Sequence, residues 1–107
     1  MPQTSPAKSS PVKLTDDELA LELSKLHGWK VVGGKLHREY AFADFVAAFG
    51  FMASVALVAQ TMDHHPEWAN VWNKVSVDLM THDAAGITAL DVKLAHSMEE
   101  LARRALA

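Results

Sequence analysis

The sequence predicts an α+β domain: a four-stranded antiparallel sheet with three helices packed on one face, in the order α-β-β-α-β-β-α. Gly33-Gly34 separates two short strand-like runs and specifies a tight hairpin. Val75, Val77 and Leu79 alternate with Ser76, Asp78 and Met80, the period of a strand with one buried face. Thr15, Asp44 and Thr88 each stand where a capping residue precedes a run of helical character.

In chain order, the first helix opens with a capping box. Thr15 caps, Glu18 returns the bond three residues on, and Leu14 can staple onto Leu19. It is expected to run through Leu23 and Leu26 and stop at Gly28, a residue type favoured just past helix ends. Residues 29–32 and 35–42 then form the hairpin. In its second strand Leu36, Arg38, Tyr40 and Phe42 share one face, and His37, Glu39 and Ala41 the other.

Asp44 caps a second helix of about five turns that ends near His64–Pro66. This helix is apolar on nearly every side, so it is expected to lie between the sheet and something else, in so short a chain another subunit. Residues 67–72 and 75–81 follow as strands, with Asn73-Lys74 at the turn. Gly86 breaks the chain, and Thr88 starts a last helix with Leu90, Leu94, Met98 and Leu101 inward. Arg103 and Arg104 suit the negative end of its dipole.

A chain of 107 residues makes one domain. Residues 14–107 are read as that domain. Residues 1–13, rich in Ser, Pro and Lys and lacking the apolar run of a signal peptide, are read as a disordered tail. Net charge is −3 with scattered lysines and arginines, so no basic footprint for nucleic acid exists. The longest apolar stretch, residues 45–59, is shorter than the roughly 20 residues of a membrane span and is interrupted by Gly50 and Ser54. No membrane segment is expected. The absence of cysteine excludes disulfides, thiol catalysis and cysteine-based zinc sites, and suits the cytoplasm, the expected location.

Histidine marks the chemistry. Of six histidines, three (His64, His65 and His82) fall within one stretch of the chain. The first two sit where the long helix ends, because Pro66 forbids continuation. His82 sits where the last strand gives way to a loop, flanked by Thr81 and Asp83. Convergence of those two boundaries would gather three imidazoles and Asp63 around one pocket. Trp68 and Trp72, on one face of the intervening strand, would offer a flat aromatic wall. Imidazole holds both protonation states within reach near neutral pH, which suits proton transfer.

Asp63-His64-His65-Pro66-Glu67-Trp68, with Asn70-Val71-Trp72-Asn73-Lys74-Val75 and Thr81-His82-Asp83-Ala84-Ala85-Gly86, resembles the pterin-4a-carbinolamine dehydratases. The likeness in element order extends from about Thr15 to the C-terminus. Two positions depart from the family pattern: Trp72 stands where tyrosine is common, and Gln60 where some members carry a carboxylate.

The resemblance implies dehydration of 4a-hydroxytetrahydropterin to quinonoid dihydropterin, a step that recycles the pterin used by aromatic amino-acid hydroxylases. It implies catalysis by His64, His65 and His82. The expected pterin-binding set is Asp63, His64, His65, Pro66, Trp68, Thr81, His82, Asp83 and Ala84. Members of the family are dimers or tetramers, in keeping with the homodimer or homotetramer expected from the apolar second helix, and the proton chemistry itself calls for no metal or other cofactor. Some members additionally bind a dimeric transcription factor.

The residues support that chemistry independently. Losing water from a carbinolamine needs a proton delivered to the leaving hydroxyl and one taken from nitrogen, and positioned histidines do both. A three-histidine zinc site with an open position is the rival reading. It is disfavoured because adjacent rings on a His-His-Pro segment rarely aim at one ion. A non-enzymatic interaction module is the other. His27, His37 and His96 read as surface or structural residues, Asp91 as a capping-box acid three residues after Thr88, and Asp63 as either a local cap or an orienter of histidine.

Overall fold

The computed structural model describes residues 11–106. The first helix, α1 (Asp16–Leu23), carries the capping box: Thr15 Oγ1 accepts from the Glu18 amide at 3.1 Å, and Glu18 Oε1 from the Thr15 amide at 2.9 Å. It ends sooner than its sequence suggests. Leu26 is fully buried and reaches the core from a run of tight turns after Ser24, and Gly28 reverses the chain at φ +88°.

β1 (Lys30–Val32) and β2 (Lys35–Ala41) form the expected hairpin, with both turn glycines at positive φ. After α2 (Phe45–Met62), β3 (Glu67–Val71) and β4 (Lys74–Leu79) form a second hairpin. Its turn is Trp72-Asn73 rather than Asn73-Lys74, since Lys74 already pairs with Val71 and Ala41. Trp72 takes the left-handed conformation at φ 50°. The side-chain amide of Asn70 holds the turn by donating to the carbonyls of Trp72 and Lys74. The two hairpins join through β2 and β4, giving the antiparallel order β1-β2-β4-β3. A short 3-10 turn (His82–Ala84) leads to α3 (Ala89–Leu106).

The helices cover one sheet face. Leu36, Tyr40, Val75, Val77 and Leu79 from the sheet meet Phe51 and Val55 of α2 and Leu94 and Met98 of α3 in one continuous core. Each such aliphatic side chain contributes about 1.5–3 kcal/mol on burial. The opposite face carries His37, Glu39, Asp78 and Glu67, and Asp78 Oδ1 lies 2.9 Å from His37 Nδ1.

At the far end of the core Glu99 of α3 accepts from Trp29 Nε1 at 2.8 Å and from the Tyr40 hydroxyl, with the Arg38 guanidinium over the Tyr40 ring. Burial, reinforced by Glu99, pushes the Tyr40 phenol far above its ordinary pKa.

α2 is long and apolar enough, by length and composition alone, to cross a membrane. Here it packs Ala48, Phe51, Val55 and Ala59 inward and leaves Val46, Phe49 and Leu57 exposed. Of the tail expected at residues 1–13, residues 1–10 lie outside the described residues. Lys13 lays its stem over Gly86, and the Leu14 amide donates to the Ile87 carbonyl at 2.9 Å.

Candidate active site

The end of α2 turns abruptly. Asp63 adopts the left-handed conformation at φ 50° as C-cap, and the His64 amide donates back to the Ala59 carbonyl at 3.0 Å. That turn folds His64 inward, where it is buried, and leaves His65 on the surface. On the other side, Thr81 bridges Gly86 in both directions, its amide to the Gly86 carbonyl at 2.8 Å and its carbonyl from the Gly86 amide at 3.3 Å. The bridge closes the turn that carries His82 and Asp83. Sheet, helix end and turn thus meet around a cleft of about 710 Å³, within the range of small-molecule sites. Asp63, His64 and His65 line one side; Thr81, His82 and Asp83 line the other; Met62, Met80, Leu90 and Pro11 supply apolar surface.

Each of the three rings is held through Nε2. Nε2 of His64 lies 2.6 Å from Oδ1 of Asp91, Nε2 of His65 lies 3.1 Å from Oε1 of Gln60, and Nε2 of His82 lies 3.1 Å from Oε2 of Glu67. Carboxylates and amide oxygens accept, so Nε2 carries the hydrogen in each ring. Nδ1 of each is left without a protein partner among the described residues. Such an arrangement leaves one nitrogen per ring to take up or give a proton.

Asp91 is the most constrained member. It is fully buried in the first turn of α3, where an unpaired carboxylate would be costly. Its second oxygen accepts from the Thr81 hydroxyl at 2.8 Å and the Thr88 amide at 2.9 Å. The single Thr81 hydroxyl hydrogen is thereby committed, so Thr88 Oγ1 donates in the 2.7 Å contact between the two hydroxyls. One aspartate therefore satisfies a helix start, ties down the strand end next to His82, and holds His64.

Glu67 is constrained differently. Lys35 Nζ donates to its other oxygen at 2.5 Å, which holds the carboxyl below the usual carboxylate range and lifts the lysine above its own.

The structure brings Asp63, His64, His65, Thr81, His82 and Asp83 together at the cleft. It does not place Pro66, Trp68 or Ala84 on the lining. Trp68 packs half-buried against the core opposite Val77, and Trp72 lies beyond the strand in the hairpin turn. The expected tryptophan wall does not form, because the strand ends one residue too early to put both rings on one face. Asp63 contributes its backbone to the turn, and the carboxylate that holds a buried histidine is Asp91, which the sequence marked only as a cap. A capping acid placed a few residues after a Thr-His-Asp turn was the available signal. Gln60 stands out only as a departure from the family pattern and Glu67 only as a member of the histidine motif, while the cleft's apolar side chains give no signal. Among the described residues no three His, Cys, Asp or Glu side chains gather as a metal-binding group.

Residues 12–101 match the family model described as pterin 4 alpha carbinolamine dehydratase. A protein of Solibacter usitatus, provisionally named a pterin-4-alpha-carbinolamine dehydratase, is 56% identical over 90 residues, covering 84% of this chain and 95% of that protein. A Burkholderia pseudomallei protein with the same provisional name is 52% identical over 97 residues, covering 89% and 96%. The crystal structure of a protein described as a transcriptional coactivator/pterin dehydratase from Brucella melitensis superposes with a TM-score of 0.82 at 47% identity, over 84% of this chain and 98% of that one. With the family model spanning both sides of the histidine cleft, and relatives this similar matched over nearly their whole length, the chain belongs to the pterin-4a-carbinolamine dehydratase family.

Proposed function

We propose that this chain dehydrates 4a-hydroxytetrahydropterin to quinonoid dihydropterin and so returns pterin for aromatic amino-acid hydroxylation, with His64, His65 and His82 moving the protons. The observation that carries this is the cleft with three imidazoles, each held at Nε2 and each keeping Nδ1 for chemistry. In the reaction the C4a–O bond breaks, a proton from one imidazolium joins the departing hydroxyl as water, and the N5 proton passes to a second imidazole as the C4a=N5 bond forms. Each such transfer is worth typically ~10²–10⁴-fold. The Asp91 carboxylate stabilises the imidazolium of His64 whichever way its proton travels. The exposed part of Asp63 and Asp83 offers acceptors for ring N–H groups of the substrate, and Met62, Met80 and Leu90 offer it apolar surface.

The test is spectroscopic: ultraviolet absorbance of enzymatically generated 4a-hydroxytetrahydropterin as it loses water, with and without this protein, before and after exhaustive chelation. Acceleration that survives chelation is expected. No acceleration overturns the proposal, and loss on chelation with restoration by one metal moves it to a metal-centred reaction.

A second role is favoured by the exposed outer face of α2, where Val46, Phe49 and Leu57 stand in solvent. A second copy of the chain is proposed to cover it, giving a homodimer or homotetramer.

A further inference from the structure

We infer that Lys35 and Glu67 form a positioning pair for His82, reaching the cleft from the open face of the sheet; the inference rests on the dehydration proposed above. His82 begins an irregular turn and its side chain is 74% exposed, so nothing in its packing fixes the ring. Its one polar partner among the described residues is Glu67 Oε2 at 3.1 Å. Glu67 in turn opens the edge strand β3, and its carboxylate is restrained only because Lys35 takes the other oxygen at 2.5 Å. Lys35 starts β2, so its side chain spans β4 to reach a strand with which β2 does not pair. The hairpin glycines set the start of β2, and the sheet register then brings lysine, glutamate and histidine into line.

The order of charges gives the pair its effect. An oxygen held anionic at Nε2 keeps the hydrogen on that nitrogen and turns Nδ1 away from it. The lysine takes the second oxygen and so fixes the plane of the carboxylate that His82 meets. The other ionisable groups lining the same cleft are Asp83 on its own turn and Asp63, His64 and His65 at the end of α2. Asp78 of β4, opposite Glu67, already engages His37.

The experiment uses the full chain with Glu67→Gln and Lys35→Met. It reads kcat and KM for dehydration, and reads the His82 tautomer from its ring ¹⁵N shifts by NMR. Glu67→Gln is expected to lower kcat about tenfold, less than the ~10²–10⁴-fold worth of a whole proton-transfer group, because His82 stays in place but unaimed. It should also weaken the preference of His82 for the Nε2–H tautomer. Lys35→Met is expected to lower kcat less and to shift the tautomer less, with KM changed little in both. Full kcat in Glu67→Gln, with the wild type active, overturns the inference whatever the tautomer does. Full kcat in Lys35→Met removes the lysine and with it the pair. An inactive wild type is the separate failure of the dehydration proposal and takes this inference with it.

Discussion

His64 Nε2 and Asp91 Oδ1, 27 residues apart in sequence, lie 2.6 Å from each other inside the protein. The aspartate is pinned from three directions, so the imidazole is aimed by the fold itself.

Asp91→Asn should therefore damage two things together. The amide cannot accept from Thr81, Thr88 and His64 in the same pattern, so stability should fall by about 1–3 kcal/mol. The dehydration rate should fall about 10²-fold, because the His64 imidazolium loses its counter-charge. Thermal unfolding and turnover measured on one preparation check both. A variant that keeps full turnover would remove Asp91 from the machinery.

The three histidines should act as a unit. His64→Ala, His65→Ala and His82→Ala are each expected to lower kcat by roughly 10²–10⁴-fold, and the double variants to lose less than the product. Circular dichroism should find His65→Ala and His82→Ala folded like the wild type, since both rings are exposed. His64→Ala should also lose some stability, because it strands a buried carboxylate oxygen. Wild-type turnover in all three single variants would end the assignment.

Alkaline unfolding should report Tyr40, the sole tyrosine of the chain. Its folded-state pKa is raised by burial and then by Glu99. Stability from the neutral phenol is thus complete below the unfolded value of about 10 and is lost as pH climbs through the folded value. Tyrosinate absorbance near the alkaline limit should appear together with loss of structure, not before it. Ionisation of Tyr40 in a still-folded protein would contradict its buried, donating state.

Self-association should depend on α2. Light scattering at micromolar concentration is expected to give a multiple of the 11.7 kDa chain mass. Leu57→Glu, which charges an exposed apolar position, should shift the protein toward the single chain without unfolding it. A stable, active wild-type monomer would show that the outer face of α2 tolerates water.

What the sequence disclosed and what it withheld divide by range. Thr15 with Glu18, Asp44 and Gly33-Gly34 act within a few residues, and each formed as its local chemistry dictates. The alternation of Val75, Val77 and Leu79 marks a strand with one buried face, whereas the joining of the hairpins through β2 and β4 is a long-range choice seen only in the fold. The end of α1 was misjudged because Leu26 gains more by entering the core from a turn than by continuing a helix. Trp72 departs from its expected place because the turn lies one residue earlier and takes it out of the strand, where alternation no longer assigns its face. Asp91 stands out in the sequence only as a capping acid shortly after the Thr-His-Asp turn, and Glu67 only as part of the His-His-Pro-Glu motif; that each holds a histidine depends on the packing of α3 and the order of the strands.

One carboxylate serving both a helix start and a ring of the candidate site also bears on descent. A lineage that no longer needed the reaction would still be held to Asp91 by the requirement to fold. It would go on inheriting an aimed His64 that selection on activity had ceased to protect. Such a lineage could lose its exposed histidines while its interior stayed primed, and substitutions at the surface alone would return it to chemistry.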